Sequence, residues 1–204
     1  MEGTNPVNKK LAATVSGGAV LVLALSACTS GGKNQTDDKL ASWAKQVCDA
    51  VPAQNAKIKA ANDAITKAAS DTTNPPATIQ KTDSQAFQDM SDGYKALATA
   101  LNNAGAPPGV DGGAQRQQDA VKTLNNLSAS YADLKKKVDA LNTKDQGKFA
   151  SGLHDIAAQM TELEKQNQSG TTALKNLEQG DVKKAIAEQA SCKKAAATAS
   201  ATAG

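Results

Sequence analysis

Aromatic side chains are almost missing from this chain: Trp43, Phe87, Tyr94, Tyr131 and Phe149 are the only ones in 204 residues. That scarcity argues against a large aromatic-lined pocket and leaves a core to be built mainly from small aliphatic side chains. Histidine is scarcer still. A nucleophile relay needs a histidine oriented by an acid, and the single His154 has only Asp155 beside it, which points to a different side of a helix. His154 therefore reads as a rim histidine, and no catalytic residue is assigned. The Glu-x-x-His pairs that hold metals in helical bundles do not occur. Neither Gly17-Gly18 nor Gly112-Gly113 opens into the Lys-Ser or Lys-Thr of a phosphate loop. These absences leave neither an enzyme nor a cofactor or metal in the expectation. Charge of one sign is lacking too. With 23 Lys and Arg against 20 Asp and Glu, the chain carries +3, too near neutral to argue for nucleic acid. The run Lys135-Lys136-Lys137 lies between the apolar positions Leu134 and Val138 and reads as a solvated helix face.

What is present begins with a leader. Lys9 and Lys10 precede an apolar run of seventeen residues, 11–27, which ends in Leu25-Ser26-Ala27-Cys28. A basic start, a hydrophobic segment and small residues before a cleavage point make a secretory signal peptide over residues 1–27. The run is short for a membrane span, which needs about 20 apolar residues, although an uncleaved signal anchor and cleavage without lipid are the competing readings. The four-residue end of the run resembles the lipobox of bacterial lipoproteins, and the Ala- and Thr-rich style resembles small secreted lipoproteins of actinobacteria. The resemblance implies cleavage between Ala27 and Cys28, acylation of the Cys28 thiol by palmitate-type chains, and a lipid-anchored domain on the outer face of the cell membrane. Two acyl chains would make that anchoring stable. Residues 28–38, rich in Ser, Gly, Asn and Gln, read as a flexible tether. With Cys28 given to lipid, Cys48 and Cys192 remain as an even pair in an oxidising compartment, where a disulfide is expected in preference to two buried free thiols. It would close 144 positions, for which the chain-entropy model gives about 4–5 kcal/mol.

Removing 27 of the 204 residues leaves 177, enough for one domain with its own core. Apolar residues recur in steps of three and four along four stretches, and no stretch alternates as a strand would. The first, 37–70, carries Leu40, Ala44, Val47, Ile58, Ala61, Ile65 and Ala68, with a kink expected at Pro52. The prolines in 71–78 predict a loop, and a second helix is expected over 83–103 with Phe87, Met90, Tyr94 and Leu101 inward. A third, 114–142, has the cleanest period. A fourth follows Thr143 as cap, with Phe149, Leu153, Ile156, Met160 and Leu163, and weakens over 166–170. Asp181 opens a last short helix that includes Cys192, and 195–204 is expected to fray. The fold class is therefore all-α: an up-down-up-down bundle of four long helices plus a short C-terminal helix, occupying residues 39–194.

Two readings of function follow. One is a non-enzymatic envelope accessory domain that meets an envelope protein through its exterior. The other is a ligand-binding or signalling bundle that acts on a membrane partner. A closed pocket lined by Tyr94, Tyr131, Phe149 and Met160 would favour the second, and a continuously packed core the first. Trp43 is expected to pack at the bundle end, the alternative being an exposed indole for a sugar or peptide.

Overall fold

A computed structural model describes residues 16–71 and 73–201, with side chains from 35 to 195 apart from 72, 166, 167, 169 and 170. Residues 1–15 of the leader, and the side chains of Ala27 and Cys28 on which cleavage and acylation turn, lie outside the described residues. So do 202–204. The chain separates into two units, 1–39 and 40–204. In the first, the backbone from Ser16 is helical through the segment expected to be a coil tether, and residues 35–39 are all exposed. Among the described residues no helix is long and apolar enough to cross a membrane.

The second unit is all-α. Its part of helix α1 (Ser16–Ser70), from Leu40 onward, continues through Pro52 without a break. It is followed by α2 (Pro76–Ala104), α3 (Gly113–Asp139), α4 (Gln146–Leu177), α5 (Asp181–Glu188) and α6 (Ala190–Ala201). Contacts far apart in sequence give the antiparallel order. The indole Nε1 of Trp43, near one end of the bundle, donates to the Gly105 carbonyl just past α2 at 2.8 Å. Halfway along, a Cβ placed on Gly93 would fall 2.7 Å from Ile58 Cγ1, so glycine is what lets α1 and α2 approach this closely. Polar links along the whole length join helices α2 and α3, among them Gln117 Nε2 to the Leu101 carbonyl at 3.1 Å, Ser91 Oγ to the Ser128 carbonyl at 2.9 Å, and Gln80 Nε2 to the Val138 carbonyl at 2.9 Å. Lys137 on α3 donates to Gln159 on α4, and Arg116 reaches the Asn176 carbonyl at 3.3 Å.

The core divides along the bundle axis. Leu40, Trp43, Ala44, Leu101, Leu124 and Val182 fill one end, where α5 covers the helices. Ala61, Phe87, Met90, Leu127, Val138 and Ile156 fill the other, and Tyr94 packs against both groups.

Several expected boundaries are corrected. Helix α2 starts seven residues earlier than its apolar stripe suggested, because Pro75 is its N-cap and Pro76 its first residue, where a missing N–H costs nothing. Asp145, not Thr143, caps α4, accepting from the Lys148 N–H at 3.0 Å. Its carboxylate also complements the helix dipole. Helix α4 runs on through 166–170 to Leu177, since that stretch holds no proline and its one Gly170 costs only about 1 kcal/mol. The last helix is two helices. The chain breaks at Gln189, whose extended ψ of 125° separates α5 from α6. The expected frayed tail is helical through Ala201.

Cys48 on α1 and Cys192 on α6 form a disulfide with Cα atoms 5.1 Å apart, beside a hydrogen bond of 2.8 Å from Ser191 Oγ to Asp49 Oδ1. Replacing both cysteines with serine is expected to lower the unfolding free energy by about 2–5 kcal/mol, or roughly 5–20 °C in Tm. Thermal unfolding monitored by circular dichroism measures this. An unchanged Tm would mean that the bond contributes nothing to holding α6 in place.

Candidate functional site

At the end of the bundle opposite the disulfide, the last turns of α1, the first turns of α2 and the first turns of α4 enclose a half-open pocket of about 530 Å³. Its volume falls in the range of about 300–1,000 Å³ usual for small-molecule sites. The walls are apolar: Ile65 and Ala68 from α1, Ile79 and Phe87 from α2, and Phe149, Leu153, Ile156 and Met160 from α4. The same 3.6-residue period that makes each helix amphipathic brings these side chains together, because each is a continuation of its helix's inward stripe.

One member of that stripe is charged. Asp83 lies four residues after Ile79 and four before Phe87, so it shares their face. Its residue is only 7% exposed, and its Oδ1 is buried without a hydrogen-bond partner. Burial in this apolar wall pushes the carboxyl up to about 6. Its neighbours in sequence are fastened to the end of α3. Gln80 Nε2 donates to the carbonyls of Val138 (2.9 Å) and Leu141 (3.0 Å), and Ser84 Oγ donates to Asp139 Oδ1 at 2.6 Å. Those carbonyls lie at a helix terminus, where backbone partners run out, and the Val138 carbonyl also accepts from the Leu141 N–H at 3.0 Å.

The polar groups at the pocket also include Asp71, Asn74, Gln146 and His154. Asp71 accepts from the Thr73 hydroxyl at 2.6 Å and the Thr73 N–H at 3.0 Å, which hold its carboxyl below the usual range. His154 is exposed on α4 at the rim, where the sequence placed it.

The four residues proposed to line one cavity are divided between two. Phe149 and Met160 line the large pocket. Tyr94, Tyr131 and Met160 line a smaller one of about 320 Å³ with Asn62, Thr161 and Glu164. The two tyrosines are stacked on each other, with ring centroids 5.5 Å apart and planes 3° from parallel, so their faces are already engaged. Trp43 is 4% exposed and hydrogen-bonded to Gly105, which corrects the alternative of an exposed recognition indole. Cys48 and Cys192 are joined to each other at the far end. Among the described residues no three of His, Cys, Asp and Glu are grouped to hold a metal ion.

Asp83 was missed because the second helix was expected to begin there. An acid between Ile79 and Phe87 at four-residue spacing was the available signal, and it became visible once the prolines were read as a helix start.

No family model, curated protein or solved structure matches this chain.

The Asp83 carboxyl sits above its unfolded value of about 3.9, so it stabilises the fold relative to neutral pH only while protonated. That contribution is complete below about pH 4 and is lost as pH rises through about 6. Asp83→Asn is expected to raise stability at pH 8 by up to about 3 kcal/mol and to leave it nearly unchanged at pH 4. Urea unfolding at both pH values tests this. An equal effect at the two would show that ionisation of Asp83 is not opposed by its surroundings.

Proposed function

We propose that this chain is a lipid-anchored extracytoplasmic bundle that binds a small, largely apolar ligand between α1, α2 and α4 and serves a membrane or envelope-protein partner without catalysing a reaction. The observation that carries the reading is the 530 Å³ pocket with a buried carboxyl group on its apolar wall. A core serving only to support an outer surface gains nothing from such a void. An unfilled apolar volume forfeits packing, and an unpaired buried charge is costly. The pocket is half-open, so a ligand can enter without unfolding the bundle. The pocket supports binding over a purely exterior interaction, which a continuously packed core would have favoured.

The anchor belongs to the same proposal and is supported by the lipobox-like Leu25-Ser26-Ala27-Cys28. In a bacterial host that processes lipoproteins, Cys28→Ala is expected to abolish labelling by radioactive palmitate and to release the protein from the membrane fraction. Persistence of both in the variant would overturn the anchor.

For the pocket, the fluorescent neutral probe phenylnaphthylamine is expected to bind saturably, one per chain. Ala157 lines the pocket and is exposed, so Ala157→Phe fills the void without disturbing the core. The variant is expected to bind at least about ten-fold more weakly, equivalent to about 1.4 kcal/mol. Equal binding by both proteins, or no saturable binding by the unsubstituted one, would sink the reading.

A further inference from the structure

The protein surrounds Asp83 with apolar side chains and gives its Oδ1 no donor. An unpaired buried carboxylate is among the more expensive features a fold can carry, and pairing it with an opposite charge removes most of that cost. The chain has 23 lysines and arginines, yet none is among the described lining residues of the pocket. Several lysines sit on outer helix faces, paired with acids three or four residues away, as in Lys59 with Asp63 and Lys135 with Asp139. The other ionisable groups at the pocket are Asp71, from the connection between α1 and α2, and His154, from α4. Asp71 is kept anionic by its hydrogen bonds from Thr73. A ligand entering here meets two carboxylates, one at the mouth and one on the inner wall, and then an apolar lining of Ile65, Phe149 and Met160.

We infer that the pocket is a site for a primary alkylammonium ion, whose ammonium group pairs with the Asp83 carboxylate while its hydrocarbon chain lies against Ile65, Phe149 and Met160. The inference rests on the ligand-binding reading above and names the ligand class for that pocket. An alkanoate of the same length has the same chain but brings a like charge toward two carboxylates. An alcohol supplies a donor without the charge. A zwitterionic lipid headgroup carries the same ammonium beside a phosphate, which Asp71 repels, and this favours a free amine over a lipid.

The test uses the full chain carrying Cys28→Ala, which keeps its own acyl chains out of the assay. Phenylnaphthylamine is the displaced probe, and the competitors are octylamine, octanol, octanoate and monomeric dihexanoylphosphatidylethanolamine at pH 7.5. Octylamine is expected to displace the probe at concentrations at least about ten-fold below the other three. In Asp83→Asn that advantage is expected to shrink to about two-fold or less while the neutral probe still binds. Equal competition by octylamine and octanoate, or an amine preference that survives Asp83→Asn, overturns the alkylammonium site and leaves the apolar pocket standing. Competition by the lipid at octylamine's concentration reassigns the site to a headgroup and overturns the free amine. Failure of the neutral probe to bind overturns the pocket reading itself, and this inference with it.

Discussion

Joining positions 48 and 192 removes a large share of the freedom the unfolded chain would otherwise have, on the order of 4–5 kcal/mol in the chain-entropy account. That bond fastens α6 to α1 at the end where α5 covers Leu40, Trp43 and Val182. The opposite end has no covalent tie and is held by packing among Ala61, Phe87, Val138 and Ile156. A bundle secured at one end can tolerate an unfilled volume and a buried carboxyl group at the other, whereas a small domain with little stability to spare could not. The two features that look separate, a staple and a pocket, are in this sense one arrangement.

The fold was largely legible because its periodicity is clean. Leu124, Leu127, Tyr131, Leu134 and Val138 mark α3 at the expected spacing and are all buried. Boundaries were harder wherever one residue type carries two meanings. Prolines at 75 and 76 signal a loop by disfavouring helix before them and a helix start by fitting its first turn, and here the second effect determines where α2 begins. Thr143 and Asp145 are both good caps, and sequence alone does not say which one the chain reaches first with helical geometry. The weak apolar signal over 166–170 looked like an end, but polarity alone does not stop a helix.

The site was less legible than the fold, and for a related reason. Tyr94, Tyr131, Phe149 and Met160 are large residues on inward faces, and all four line cavities. Size does not reveal which partner a ring has already taken, and the tyrosines have each other. The decisive residue was small and acidic, and its importance comes from the face on which it lies. A buried acid of this kind is found by asking which position breaks the pattern of its own stripe, a question that depends on placing the start of the helix correctly.

Gln80 and Ser84 bracket Asp83 and are both bonded to the closing turn of α3. Unwinding the start of α2 to bring Asp83 into water would strip those partners from the Val138 and Leu141 carbonyls and from Asp139. The carboxyl group is therefore held in the wall before any ligand arrives. For the proposed ligand little ordering would be left to be done, so affinity would be limited less by lost freedom of the protein than by how well the ligand replaces its own water.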